Sequence, residues 1–356
     1  MYKTRSTLAA LTLLLATGAG CFGLGGTKAP VTVAGGVWVS ETAGDAWASK
    51  SVLPTATGSS SIGGMDVLTL EQDPTDASTL YIGTKSSGLF YSLDGGESWL
   101  RPEDKEVSMG AITAIEVDPK NICTYFVLKA NRLLKTTTCG RAFDNGAYVE
   151  TRTDSTLTAL AIDWYNPKTI LLGTSEGDVL RSLDSGATWA AIYRADNAVS
   201  SIEISNADSR VLLVGTQSRG LKRSTDAGGT WTDLKKTLDS YDKSEKVYGF
   251  DQTADGSRVL MHSGYGLMSS DDNGGTWNPI ALVTSEAEVT VRAAAISPTN
   301  KNVMYYATQN AFYASTSGGQ AWSTANLPSA NAASIIHVDA GSPERVFLGV
   351  VSIEKK

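Results

Sequence analysis

The chain has 356 residues and is short of the side chains that metal sites and nucleic-acid interfaces depend on. Its 2 histidines and 3 cysteines leave little for a His- or Cys-rich metal site. Basic residues number 30 against 37 acidic ones, a net charge of −7, and no basic run stands out. Phosphate contacts need clustered Lys and Arg, so a nucleic-acid partner is excluded. Charged residues make up only 19% of the chain, and after the first 20 residues no stretch keeps a long helical period. The glycine-rich stretches belong to hairpin turns rather than to the strand-to-helix loop that cradles phosphate. What the sequence has in quantity is 35 glycines and 42% hydrophobic residues, a globular composition that favours short strands joined by tight turns.

The start of the chain reads as an export signal. Lys3 and Arg5 precede an apolar stretch from Leu8 to Ala16, and Gly18, Ala19 and Gly20 follow just before Cys21. That stretch is well short of the roughly 20 residues of a spanning helix. Gly18-Ala19-Gly20-Cys21 resembles the lipobox of bacterial lipoproteins, with Gly where Leu is usual. The resemblance implies cleavage of residues 1–20, lipidation of Cys21, a glycine-rich tether over residues 21–30 and attachment to a membrane of the cell envelope. Cleavage leaves 336 residues.

One motif recurs along the remainder. SLDGGESW (Ser92 to Trp99), SLDSGATW (Ser182 to Trp189), STDAGGTW (Ser224 to Trp231) and SDDNGGTW (Ser270 to Trp277) share the pattern Ser-x-Asp-x-Gly-x-Ser/Thr-Trp. Weaker copies are SETAGDAW (Ser40 to Trp47), TTTCGRAF (Thr136 to Phe143) and STSGGQAW (Ser315 to Trp322). The closing aromatics stand at 47, 99, 143, 189, 231, 277 and 322, a spacing suited to a four-stranded propeller blade. Short β-branched or aromatic runs bounded by Gly, Asn, Asp or Pro precede each copy, as strands and hairpins do. The chain starts its repeats with the last two strands of a unit and ends with the first two. Residues 31–53 and 333–353 are therefore expected to share one blade and close a seven-bladed, all-β propeller over residues 31–356, with both sheet edges removed.

These boxes resemble the Asp-box, or bacterial neuraminidase repeat, of sialidases, sortilin-type receptors, xyloglucan-degrading glycosidases and photosystem II stability/assembly factors. The resemblance implies a propeller fold and no particular activity. Physically, Asp94, Asp184, Asp226 and Asp272 are expected to accept turn N–H groups, and Trp99, Trp189, Trp231 and Trp277 to pack between blades; both sets are structural. A Ca²⁺ role would need more oxygen ligands than Ser-x-Asp-x-Gly supplies. In the third copy Thr138, Ala142 and Phe143 replace Asp, Thr and Trp. Cys123 and Cys139 lie eight residues to either side of a hairpin turn near Asn131, which places them opposite each other and predicts a disulfide that substitutes for the missing turn bonds.

A ligand site is expected on the face opposite the boxes, around the channel mouth. Arg132, Arg152, Arg194 and Arg219 with Tyr193, Tyr241 and Tyr265 form a candidate recognition surface, the arginines suiting carboxylates and the tyrosines sugar or peptide faces. Asp66, Asp154, Glu245 and Glu288 are candidate carboxylates for glycoside hydrolysis, which requires a suitably spaced pair. His262 and His337 read as packed or channel-facing. Sialidases carry an Arg-Ile-Pro tripeptide that this sequence lacks, and xyloglucanases of this type place their site between two propellers. WD-repeat and kelch propellers are less similar, since the Gly-His and Trp-Asp signatures of the former are absent. Three readings stand: a non-catalytic envelope lipoprotein that binds a protein or polysaccharide, a glycosidase or sugar-binding protein, and a purely structural surface protein. The first is preferred, with a monomeric chain and no cofactor or metal.

Overall fold

The computed structural model describes residues 35–353. The expected signal, the lipidation site Cys21 and the tether all lie outside the described residues. Within them the chain is a seven-bladed β-propeller of antiparallel sheets. The innermost strands run Val67–Gln72, Ala114–Val117, Leu157–Ile162, Val199–Ile204, Val247–Gln252, Ala293–Ile296 and Ala332–Val338. They define the first to seventh blades in that order.

Ring closure follows the expected scheme. Val37–Ser40 pairs with Val346–Val351 in the seventh blade, with Val37 opposite Gly349 and Ser40 opposite Val346. Ala48–Lys50 flanks one side and Ala332–Val338 the other. The hydrophobic core is divided among the seams between blades. In one seam Val39, Leu80, Phe90, Trp99 and Phe347 pack across the joint between the seventh and first blades.

The box is the device that fixes each seam. Ser92 Oγ donates to Asp94 Oδ1 at 2.7 Å and accepts the Gly96 N–H at 2.8 Å. Asp94 Oδ1 also accepts the Ser98 N–H at 2.9 Å, and Oδ2 accepts the Ser98 hydroxyl at 2.6 Å. The same bonds recur at Asp184, Asp226 and Asp272. Their carboxylate oxygens are thus engaged by donors of their own turns. Trp99 Nε1 donates to Lys50 O, and Trp189 Nε1 to Ala147 O, each carbonyl belonging to the outermost strand of the preceding blade. Trp231 and Trp277 turn their N–H back onto Gly228 O and Gly274 O of their own boxes.

Two successive left-handed residues follow the Asp position, as in Ala227 (φ 58°) and Gly228 (φ 88°). The second must be glycine, because a Cβ on Gly228 would lie 2.7 Å from Ile192 Cδ1 of the preceding blade. The degenerate box of the second blade keeps this geometry. Thr136 Oγ1 accepts the N–H groups of Thr138 and Gly140, and Thr138 Oγ1 accepts the Ala142 N–H at 3.0 Å. This corrects one expectation: the turn bond to the backbone survives, because a hydroxyl occupies the place of one carboxylate oxygen. What is lost is the second oxygen and the hydroxyl it would have met. Cys123 and Cys139 are joined, and the Cys139 N–H bonds Cys123 O beyond the ends of the paired strands.

Two elements depart from the repeat. The first blade has strands Val67–Gln72, Leu80–Thr84 and Leu89–Ser92, but its expected fourth strand is reduced to Leu100 pairing with Tyr91. Pro102 follows with no N–H to donate, and the chain leaves for a 3₁₀ turn at Lys105–Val107. Between the seventh and first blades an extra hairpin, Val52–Thr55 with Gly58–Ser61, stands on the surface.

The box account predicts graded damage. Gly228→Ala should cost about 1–3 kcal/mol through overpacking and a disfavoured φ. Asp272→Ala should lower the melting temperature by a few degrees, whereas Ala227→Gly should leave it unchanged or raise it. Thermal unfolding of the three variants checks this; an Ala227→Gly loss as large as that of Gly228→Ala would refute the left-handed seam.

Candidate functional site: the central channel

The innermost strands surround a channel of about 640 Å³. Its wall has two registers set by the strands themselves. At the entry of the innermost strand, on the face opposite the boxes, the register slips by one residue in five blades, between Val67 and Thr69, Leu157 and Ala159, Val199 and Ser201, Val247 and Gly249, and Ala333 and Ile335. A bulge of this kind re-aims the skipped side chain. Leu68, Thr158, Ser200, Tyr248 and Ser334 are the skipped residues, and all five line the channel. Thr113 and Arg292 take the same place in the second and sixth blades. This mouth is mostly hydroxyls, with Arg292 as the cation in its wall.

Three residues further along, about 10 Å toward the box face, lies a ring of different chemistry. The residues opposite Tyr81, Phe126, Leu171, Leu213, Leu260, Tyr305 and Phe347 are Glu71, Glu116, Ala161, Glu203, Asp251, Ala295 and His337. Four of seven equivalent positions are therefore acids. Burial, and then the charges of Asp251 and Glu116, push the Glu203 carboxyl up to about 8. Burial raises Asp251 to about 6 against the N–H groups of Ile296 and Gln252, which hold its charge. Glu71 is raised to about 8 by burial and then by the charges of Asp251, Glu203 and Asp73, and Glu116 is raised by burial and then by the charge of Glu71. Gln252 Nε2 bonds Glu203 Oε1. His337 and His262 are held neutral by burial, both down to about 4. His262 takes the place that glycines hold in the second strands of other blades, and Gly249 opposite it makes room: a Cβ there would lie 2.5 Å from the ring.

The residues proposed from sequence for the recognition surface do not converge on this channel. Arg152 grips Glu150 through Nε and Nη2 at 3.0 and 2.7 Å, and its Nη1 reaches Asp178 at 2.5 Å. Arg194 Nη1 meets the other Asp178 oxygen at 2.7 Å. The two arginines share a surface groove with Asp154 and Glu176, and bonding to Arg152 draws Glu150 down to about 2. Arg132 faces Glu106 at 3.1 Å, and Arg219 is exposed on its turn. Tyr193 stacks on Trp231 at 4.5 Å, and Tyr241 meets Tyr265 edge-on at 5.2 Å, so these rings serve packing. Of the candidate carboxylates, Asp66 is engaged by the N–H and hydroxyl of Ser352. The channel acids went unsingled in the sequence. Their signal was present, since Glu71, Glu116, Glu203 and Asp251 recur at one register of the repeat.

No known protein family matches the chain, and no curated protein sequence does. Solved structures share the fold. The GH74 enzyme of Niastella koreensis superposes with a TM-score of 0.67 at 16% identity over 80% of this chain. The chain spans about half of that enzyme, 51% of its length. YCF48 bound to D1 peptide gives 0.60 at 16% identity, covering 82% of this chain and 94% of that one. The extracellular domain of the putative hybrid two-component system BT4673 of B. thetaiotaomicron gives 0.62 at 16%, over 80% of this chain and 37% of that one. At such identities the likeness is one of fold.

The acid ring carries a pH signature. Carboxyls raised in the folded state stabilise it below their unfolded values, and that contribution is lost as pH rises through about 6 to 8. Glu203→Gln should therefore raise the melting temperature at pH 8.5 and change it little at pH 5. Equal shifts at both pH values would refute the assignment.

Proposed function

We propose that this chain is a non-catalytic lipoprotein of the cell envelope, exported by residues 1–20 and anchored through Cys21, whose propeller is a binding or assembly scaffold for a protein or polymer. The observation that carries the scaffold reading is the channel mouth, lined by the hydroxyls of Thr113, Thr158, Ser200, Tyr248 and Ser334 with Arg292. Glycoside hydrolysis divides its work between one protonated and one ionised carboxyl. Glu71, Glu116, Glu203 and Asp251 are all shifted upward, Glu203 to about 8 and Asp251 to about 6, so at neutral pH the ring holds a protonated Glu203 near an ionised Asp251, and the second reading below rests on that arrangement. The pair Glu150 and Asp178 is occupied by Arg152 and Arg194. The mouth of hydroxyls with Arg292 is suited to hydrogen bonding with a polar chain that rests on it. YCF48, of like fold, has been captured with a peptide, which supports the scaffold reading.

A carbohydrate-active reading is the second one, favoured by the likeness to GH74 enzymes and by raised acids facing a cavity. Incubation with xyloglucan and other envelope and plant polysaccharides, followed by reducing-end measurement, separates the two. The scaffold reading expects no release above that of a Glu71→Gln, Glu203→Gln variant; release that this variant abolishes would establish hydrolysis. Cells fed radiolabelled fatty acid should label the wild type and not Cys21→Ser, and an unlabelled wild type would remove the anchor from the proposal.

A further inference from the structure

The acid ring of the channel lacks a counter-ion. The charges that act most strongly on Glu71, Glu116 and Glu203 are those of other carboxyls, felt across the channel from blade to blade. Among the residues that line the channel there is no lysine, and Arg292 stands three residues nearer the mouth than the ring. Crowded carboxyls without a positive partner oppose one another's ionisation, and a cation set among them relieves that opposition.

The way from the mouth to the ring is open and built of small side chains. Alternate residues of a strand share a face, so the positions two before the ring also look into the channel. They include Thr69, Ala114, Ala159, Ser201 and Gly249, all in the channel wall. Into this passage projects the ring of His262, which lies over Gly249. His337 is occupied by Gln72 Oε1 at 3.3 Å, whereas His262 makes no hydrogen bond among the described residues and is held neutral by burial. Thr158 Oγ1 and Ser200 Oγ, at the mouth end of the wall, are buried and likewise unpartnered. A neutral imidazole and two hydroxyls without partners are acceptors for N–H groups that the protein itself does not bring to them.

The shape of the site selects the kind of cation. Among the described residues no three His, Cys, Asp or Glu side chains converge closely enough to hold a metal ion. The acids are spread around a channel of about 640 Å³, where an elongated cation with several charged groups meets them one by one. The ring lies about 10 Å below the mouth, deeper than the four-carbon stem of a lysine extends from a chain resting on the rim.

We propose that the channel is a binding site for a linear aliphatic polyamine, whose ammonium groups lie among Glu71, Glu116, Glu203 and Asp251 and whose chain fills the passage beside His262. The proposal goes beyond the scaffold reading, which concerns the mouth, and does not depend on it. Binding is tied to protons, because carboxyls raised to about 8 at Glu71 and Glu203 must ionise to receive the amine. The other titratable groups facing the ring are His262 and His337, both neutral, with Asp73 and Asp339 two residues beyond Glu71 and His337 on the box side and Tyr248 and Arg292 at the mouth.

Isothermal titration calorimetry of the intact chain with spermidine tests this. Spermidine should bind at least tenfold tighter at pH 7.5 than at pH 5, where Glu71, Glu203 and Asp251 all hold their protons. At pH 7.5 binding should release protons, read as heats that differ between phosphate and Tris buffers. Octane-1,8-diol, Mg²⁺ and the peptide acetyl-Gly-Lys-Gly-amide should each bind at least tenfold more weakly. Glu71→Gln and Glu203→Gln should each weaken spermidine tenfold or more, and Asp239→Asn, at an exposed acid outside the channel, should leave it unchanged. No binding of spermidine, equal heats in the two buffers, or affinity that survives both Gln substitutions overturns the proposal. Mg²⁺ or the lysine peptide binding as tightly as spermidine also overturns it, assigning the ring to a metal or to a partner's side chain. The wild-type measurements decide even if a variant fails to fold, and each of these failures leaves the scaffold reading standing.

Discussion

The pairing of Val37–Ser40 with Val346–Val351 is the constraint on which the rest of the molecule depends. Without it two half-sheets would each expose an unpaired edge, and the innermost strands would no longer bound a channel. Closure makes the seven blades interdependent, because each seam is filled from both sides. Gly44 of the seventh blade shows the tolerance: a Cβ there would lie 2.2 Å from a carbon of Phe312 in the sixth. A ring whose seams are this close can only shut if every blade keeps nearly the same thickness. The recurrence of the box geometry even where its sequence has decayed is how that thickness is kept.

The box works by local hydrogen bonding. Serine or threonine at its first position and Asp, Thr or Ser at its third hold two left-handed residues in sequence, the second of them always a glycine. The hydroxyl versions at Thr42, Thr138 and Ser317 make the backbone bond across the turn with one oxygen instead of two. A carboxylate adds a second acceptor and a charge that these donors stabilise. The turn geometry therefore survives substitution of the Asp.

This explains what was legible in the sequence. Box spacing and strand alternation carried the blade count, the antiparallel order and the shared closing blade, since both are properties of the repeat. The reduced fourth strand of the first blade was less visible because Trp99 closes a strong box and only Pro102 marks the departure. The hairpin at Val52–Ser61 was hidden because its exposed strand, Gly58–Ser61, has no apolar alternation to announce it. Site residues fared differently. Arginine and tyrosine on loops attract attention, yet Arg152 and Arg194 are committed to Glu150 and Asp178, and Tyr193 to Trp231. Glu71, Glu116, Glu203 and Asp251 each look like an ordinary polar alternation within one strand. Only closure brings them to a common ring.

The two families of carboxylates then act in opposite senses. Box acids such as Asp184 and Asp226 are drawn down to about 2, Asp184 first by the Thr188 hydroxyl and Asp226 first by the Thr230 N–H, so their contribution is full at neutral pH and fades only as pH falls toward 2. Channel acids are raised by burial and crowding, and their contribution fades as pH rises past 6. The interval in which both are favourable lies on the acidic side of neutrality. Within it the channel ring is largely protonated, while the box carboxylates remain charged and bound within their turns. The molecule thus keeps its lowered box acids in the turns that set blade thickness and its raised acids around the channel, so that seam and channel oppose each other in their dependence on pH.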